Sequence, residues 1–210
     1  MAENGRTTSS APDQPARRVR TQWRSVGQVE AVDVIQVLDA LDQAGVRHWV
    51  GGGWGVAALA GRQTRPHRDL DLAVDARDLG SCLTALGQLG YAAETDWLPA
   101  RIELRSLSDR WVDVHPVAFE EGGHGRQADL DGGSFDYPPD AFSHGLIAGR
   151  SVPCLSARQQ RRFRAGYEHR PQDVHDLAQL DTLRESATHR PDSRSLTTGL
   201  TISRCGPGSG

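Results

Sequence analysis

The chain has 210 residues and a formal net charge of −3, with 27 acidic residues against 24 basic ones, every one of which is arginine. That length suits one ordinary domain with at most a small helical appendage, and an isoelectric point near 6.2 lacks the basic footprint of wholesale nucleic-acid binding. The widely spaced Cys82, Cys154 and Cys205 argue against a disulfide framework or a zinc cluster and for a reducing cytoplasm, and no apolar run approaches the roughly 20 residues that span a bilayer.

Residues 1–26 are rich in Ser, Thr, Pro, Ala and Arg and poor in large apolar groups, as are residues 187–210, so neither stretch buries enough surface to offset the entropy of ordering. Both read as disordered tails around one domain at 27–186. Inside it, QVEAVDVIQVLDALDQAG places Val29, Val32, Ile35, Leu38 and Leu41 at steps of three and predicts an amphipathic helix ended by Gly45. RHWV reads as a short strand, and Gly51, Gly52 and Gly53 lead into WGVAALAG, a short helix closed by Gly61. After the connector RQTRPH, the stretch RDLDLAV alternates strictly, so Asp69 and Asp71 share one face of a strand while Leu70, Leu72 and Val74 take the other.

Asp75 is placed to cap a helix striped by Leu79, Leu83, Leu86 and Leu89, and YAAET returns as a strand. Two more strands follow, ARIELRS and RWVDVHPV, separated by the turn-like LSDR. In the second, Trp111, Asp113 and His115 share a face. Residues 121–141, glycine-rich and polar, read as a long irregular segment, and GLIAGRSVPCL as a hairpin turning at Gly149 and Arg150. Ser156 opens a basic helix, SARQQRRFRAGY, and Pro171 opens another carrying Val174, Leu177, Leu180 and Leu183, which makes a C-terminal helical part at about 155–186. The order implies an α/β (α+β) domain built on a short mixed sheet flanked by helices.

Asp69, Asp71 and Asp113 form the notable constellation. Carboxylates a few ångströms apart repel, so a cluster of them in a pocket calls for a cation, and hard divalent ions such as Mg²⁺ take oxygen ligands and share their shell with phosphates. A glycine turn opening a helix supplies the complementary part, free amides and a positive dipole end that suit a phosphate chain. Alternating DLDL alone is ordinarily the solvated face of an edge strand, and a glycine triplet alone is a turn. Their succession, with a basic connector between them, favours phosphate and metal.

The stretch GGGWGVAALAGRQTRPHRDLDLAV, with VDVHPV later, resembles the nucleotidyltransferase signature of the DNA polymerase β-like superfamily, and more closely the lincosamide and aminoglycoside nucleotidyltransferases. The likeness continues through GLIAGRSVPCLS and GYEHRPQDVHDLAQL and so spans roughly 28–184. It implies the polymerase β-like nucleotidyltransferase fold and an enzyme that uses one or two Mg²⁺ ions to move a nucleoside monophosphate from ATP or another nucleoside triphosphate to a hydroxyl of a small molecule, releasing pyrophosphate. An aminoglycoside or lincosamide antibiotic is the implied acceptor class. Asp69 and Asp71 match the metal-binding pair; Asp113 matches the third carboxylate, which binds metal, acts as general base, or does both. Gly51, Gly52 and Gly53 align with the turn that approaches the triphosphate. Related sequences often carry an acid in the helix after that turn, where this chain has Ala57 and Ala58.

Among the remaining candidates, Arg65 is placed to offset phosphate charge. His67 and His115 are placed to hold carboxylates or reach substrate, and Glu103, between Arg101 and Arg105 on one strand face, lines either an acceptor pocket or, as the commoner arrangement, a surface ladder of ion pairs. The arginines of RQQRRFR read as a solvated helix face, and Cys154 as buried and inert. Two other functions share these residues: the same transfer to a protein or RNA hydroxyl, against which the acidic balance speaks, and nucleotide binding without catalysis, which would not require all three aspartates. No membrane partner is expected.

Overall fold

The structure is a computed structural model that describes residues 27–188. The expected tail at 1–26 lies outside the described residues, as does that at 187–210 save for residues 187 and 188, which belong to the last helix. The elements run α1 (Ala31–Gln43), β1 (His48–Val50), α2 (Gly52–Ala60), β2 (Asp69–Asp75), a 3₁₀ turn (Ala76–Asp78), α3 (Leu79–Gln88), β3 (Tyr91–Trp97), β4 (Arg101–Ser106), β5 (Trp111–Phe119), β6 (Gly125–Ala128), β7 (Ser134–Tyr137), a second 3₁₀ turn (Pro139–Ala141), β8 (Phe142–Ile147), β9 (Arg150–Leu155), α4 (Ala157–Arg162) and α5 (Pro171–Thr188). No helix among the described residues is long and apolar enough to cross a membrane.

The sheet is mixed, as the order of elements implies. Its strands run β3-β4-β5-β2-β1-β9-β8, with β6 and β7 attached to β5. Two pairings are parallel, β2 with β5 and β1 with β9; the others are antiparallel. Strand alternation sorts the two faces. Leu70, Leu72, Val74, Ile102, Leu104, Val112 and Val114 point into the main core with Val34, Val37, Leu38 and Leu41 of α1 and Leu86 of α3. The other face carries Asp69, Asp71, Asp113 and His115 at one end, and at the other Ala73 and Val117 in a second apolar cluster with Tyr137, Leu155 and four partly buried aromatics, Trp49, Phe119, Phe142 and Phe163.

Three expectations change. The core stripe of α1 is Val34, Val37, Leu38 and Leu41, while Val32 is 59% exposed; a strict step of three drifts around a 3.6-residue helix, whereas i, i+3, i+4, i+7 stays on one side. Residues 121–141 hold a hairpin, β6–β7, in place of an irregular loop, with Gly125 opposite Tyr137 and Gln127 opposite Phe135. In α5, Val174 is 56% exposed and the buried positions are Asp173, Asp176 and Leu180, so two acids occupy a stripe expected to be apolar. The remaining elements form where expected, with shifted ends. Asp75 caps the 3₁₀ turn before α3, and not α3 itself, by accepting from Arg77 N–H at 3.0 Å; Ser156 caps α4, which stops at Arg162 short of Tyr167; the β8–β9 hairpin turns at Ala148 and Gly149, since Arg150 already belongs to β9; and Gly61 closes α2 in the left-handed region.

Helix α2 is buried nearly all round because it lies between β8 and α5, and it sits close to β8 where Gly145 leaves room: a Cβ there would overlap the Ala58 backbone. Gly145→Ala is therefore expected to lower stability by about 1–3 kcal/mol, the usual cost of overpacking. Gly87→Ala, in an open part of α3, is expected to be neutral or to stabilise by roughly 0.5 kcal/mol. Urea unfolding of both variants checks the pair, and an equal effect at the two positions would contradict this packing.

Candidate active site

The parallel register of β2 and β5 puts Asp71 directly beside Asp113. On the outer side of β5, antiparallel β4 sets Glu103 beside Asp113; on the other side of β2, Gly51 N–H donates to the Asp71 carbonyl at 2.8 Å. One transverse row of the sheet thus reads Glu103, Asp113, Asp71, Gly51. This row floors a cleft of about 900 Å³ whose lining includes Gly52, Arg65, Asp69, Arg101, His115, Gln127, Phe135, Arg164, Arg170 and Asp176.

The carboxylates are crowded and partly buried. Ligand atoms of Asp71, Asp113 and His115 all lie within 4.8 Å of one another, with His115 Nε2 3.6 Å from both Asp71 Oδ1 and Asp113 Oδ2. Asp113 Oδ2 accepts from Arg101 Nη1 at 2.7 Å, whereas its Oδ1 is buried without a partner. Burial first, then the Asp71 charge, outweighs the help from His115 and Arg101 and pushes the Asp113 carboxyl up to about 6. Burial also acts on Asp71, but the adjacent His115 ring, then Arg164 and Arg101, outweigh it and hold that carboxyl below its ordinary value. Asp69 sits two positions along β2, its carboxylate accepting from Arg68 at 3.0 Å; burial, then the Asp71 charge, raises it.

His115 is oriented from behind by the hairpin. Tyr137 donates to Gln127 Oε1 at 2.6 Å, and Gln127 Nε2 lies 3.1 Å from His115 Nδ1. Amide donation to Nδ1 leaves the ring proton on Nε2, facing the two carboxylates. Burial alone would lower the His115 value, but the Asp71 and Asp113 carboxylates more than reverse it. Gln127 and Tyr137 fall in the stretch expected to be irregular, where four-residue strands carry too little alternation to be recognised.

The glycines serve close approach. Gly52 has φ +50, and a Cβ on it would overlap the Asp71 carboxylate; one on Gly53 would overlap the His67 ring and crowd Arg65. The first amides of α2, which have no carbonyl within the helix to meet, therefore open beside Asp71. Ala57 and Ala58 of the same helix are buried at 1% exposure, where an acid would lose its hydration.

The connector residues divide. His67 is buried at 2% exposure behind the cleft wall, its ring 4.7 Å from that of Trp54, and burial followed by the Arg65 charge lowers it to about 4, so it is a neutral packing group. Arg65 lines the cleft, held by Asp176 through Nε at 2.8 Å and Nη2 at 2.9 Å. Glu103 also lines the cleft, 3.5 Å from Arg101, while Arg105 turns to Asp109. The RQQRRFR helix is not uniformly solvated. Arg164 is buried, donating to Asp176 and Gln160, and Arg161 donates to the Leu180 carbonyl. The sequence signal for Asp176 was the i, i+3 spacing of two acids after Pro171. Cys154 is fully buried, and burial pushes its thiol up to about 12.

Because the Asp113 carboxyl is raised in the folded protein, the folded state binds a proton more tightly than the unfolded chain between about pH 4 and 6. Stability of the metal-free protein therefore falls as pH rises through that window and stays lower above it. Asp113→Asn is expected to stabilise the metal-free protein at pH 8 by on the order of 1–3 kcal/mol, with the gain vanishing near pH 4. Thermal unfolding in chelator at the two pH values reads this directly; equal melting at both would contradict it.

The chain is similar to known proteins in sequence and fold. The aminoglycoside-2''-adenylyltransferase family profile matches residues 33–180. A lincosamide resistance protein of Staphylococcus haemolyticus is 33% identical over 151 residues, 72% of this chain and 94% of that protein. A 2''-aminoglycoside nucleotidyltransferase of Klebsiella pneumoniae is 33% identical over 121 residues, 58% of this chain and 64% of that protein. A crystal structure of a lincomycin-bound lincosamide antibiotic adenylyltransferase superposes with a TM-score of 0.68 at 33% identity, over 74% of this chain and 99% of the other. The likeness to ANT(2'')-Ia in complex with adenylyl-2''-tobramycin, TM-score 0.57 at 22% identity over 76% and 97% of the two chains, is one of fold. A mixed sheet with the nucleotidyltransferase topology, and a family match over most of the described residues, place this protein among the nucleotidyltransferases, as a member of the aminoglycoside-2''-adenylyltransferase family.

Proposed function

We propose that the chain transfers the nucleoside monophosphate of magnesium-bound ATP to a hydroxyl of a lincosamide-type antibiotic, or of an aminoglycoside, and releases pyrophosphate. The observation that carries this reading is Asp71 beside Asp113 with Asp113 Oδ1 buried and unpartnered. A buried, bare carboxylate oxygen next to a second carboxylate suits an oxygen-seeking divalent cation. The donor set fits: Asp71 and Asp113 would hold the ion, with Asp69 next along β2 and His115 keeping the pair in place. Bound there, the ion would offset the charge of the phosphate under attack.

The chain's own groups account for the rest. The acceptor oxygen forms a bond to the α-phosphorus as the bond to pyrophosphate breaks, and Asp113 takes the hydroxyl proton. Gly51, Gly52 and Gly53 let the phosphates approach the start of α2 closely, and Arg65 faces the leaving pyrophosphate. The acceptor enters over Glu103 and Phe135, where a carboxylate and a 39% exposed aromatic ring offer an amine- and apolar-binding surface. The lincosamide class stands first because the relative named for it aligns over nearly its whole length. Most of the rate comes from holding the two reactants in line.

A mass-resolved screen of lincosamides, aminoglycosides and simple polyols with Mg·ATP is expected to show one class gaining the mass of a single adenylyl group. Asp71→Ala is expected to cut the rate of that product by at least about a thousandfold while the fold is retained. Full pyrophosphate release by a folded Asp71→Ala enzyme with its acceptor would overturn the assignment.

A further inference from the structure

Asp176 lies on the first turns of α5, fully buried, and accepts from three donors at once: Arg65 Nε at 2.8 Å, Arg65 Nη2 at 2.9 Å and Arg164 Nη2 at 2.8 Å. The two arginines come from distant parts of the chain, the connector before β2 and the turn just after α4. Both line the cleft. Arg164 is further fixed by Gln160, whose Oε1 accepts from its Nη1 at 2.8 Å, and Gln160 in turn occupies the room left by the missing side chain of Gly55, where a Cβ would overlap it.

Three features decide what such a wall accepts. Its charge does not cancel: Arg65, Arg164 and Arg170 face Asp173 and Asp176, three guanidiniums against two carboxylates. Asp176 already serves three donors and has little acceptor capacity left for a cationic ligand. Arg164 Nε is a buried donor without a partner among the described residues, which costs free energy. The wall therefore suits an anion with several oxygens. It adjoins the acidic row: the Asp69 and Asp71 charges act on Arg65, and the Arg164 charge acts on Asp71, so a ligand in the cleft meets guanidiniums beside carboxylates.

We infer that Asp176 is a positioning residue whose buried carboxylate holds Arg65 and Arg164 as a paired guanidinium wall for the pyrophosphate portion of the nucleotide. The inference rests on the nucleotidyl-transfer reading above. Asp176 touches no substrate; it sets the angle and spacing of two groups that do. Planar guanidiniums held by a shared carboxylate lose little further freedom when they meet phosphate oxygens, so the anion is bound by a pre-arranged surface.

Titration calorimetry with inorganic pyrophosphate, paired with steady-state kinetics, tests this. Asp176→Asn and Arg164→Gln are each expected to weaken pyrophosphate binding and raise the KM for nucleotide by about 10- to 100-fold, with the KM for the acceptor within about twofold of the parent. Arg162→Gln, at the exposed last residue of α4, is expected to leave all three unchanged. If Asp176→Asn does not fold, Asp176→Glu keeps the charge and displaces it by one methylene, and the same selective rise in nucleotide KM is expected. A folded Asp176 variant with unchanged pyrophosphate affinity, or one in which both KM values rise together, overturns the inference. The two readings fail separately: pyrophosphate binding that depends on Asp176 in a protein that modifies no acceptor would leave the wall standing and remove the proposed reaction, whereas turnover indifferent to Asp176 would do the reverse.

Discussion

Parallel pairing of β2 with β5 sets the Asp71 and Asp113 side chains next to each other on one face of the sheet, and the neighbouring groups answer the repulsion this creates. Two carboxylates at that spacing, one of them almost fully buried, oppose each other's ionisation. Arg101 takes one Asp113 oxygen, the His115 ring stands between the pair, and Gln127 and Tyr137 of the hairpin hold that ring in place. The compensation is incomplete, since Asp113 keeps a bare buried oxygen and a raised proton affinity. That residual cost is what a bound cation would remove, and it makes the site a place where stability is given up for chemistry.

The two faces of the sheet divide the work. Apolar residues of β2, β4 and β5 anchor the strands on the helices α1 and α3, so the register of the carboxylates is enforced by a core that would have to turn inside out for the strand to slip by one residue. On the opposite face the apolar patch under the hairpin closes one end of the cleft, and α5 closes another with its pair of buried acids. Helix α2 lies between both: its glycines meet Asp71, His67 and Gln160, and its Ala58 is met by Gly145 of β8. Side chains are absent where backbone and catalytic groups must come closest.

Much of this was legible in the sequence. The strict alternation of RDLDLAV and WVDVHPV is enough to put Asp69, Asp71, Asp113 and His115 on strand faces, because a period of two admits no other assignment. Their partnership was not readable from spacing, since it depends on β2 and β5 pairing in parallel while β1 runs antiparallel beside them, a matter of topology. The hairpin at 125–137 escaped for a different reason. Its strands are short and largely exposed, so they carry no hydrophobic rhythm even though Asp131, Gly132 and Gly133 mark a turn. In α5 the pattern misled, because Asp173 and Asp176 take buried positions that their arginine partners make tolerable, Arg170 for the first and, from outside the helix, Arg65 and Arg164 for the second. The likeness to the lincosamide and aminoglycoside nucleotidyltransferases carried what spacing left open, and the family match agrees with it.

In the proposed reaction the carboxylate pair and the guanidinium wall form one site that would hold a metal-bound nucleotide between them. The most direct test is anomalous diffraction from crystals grown with Mn²⁺ and a non-hydrolysable ATP analogue. The account predicts a manganese peak bonded to both Asp71 and Asp113, with the triphosphate running from it toward Arg65 and Arg164. A nucleotide bound elsewhere, or a manganese ion that touches neither aspartate, would contradict it.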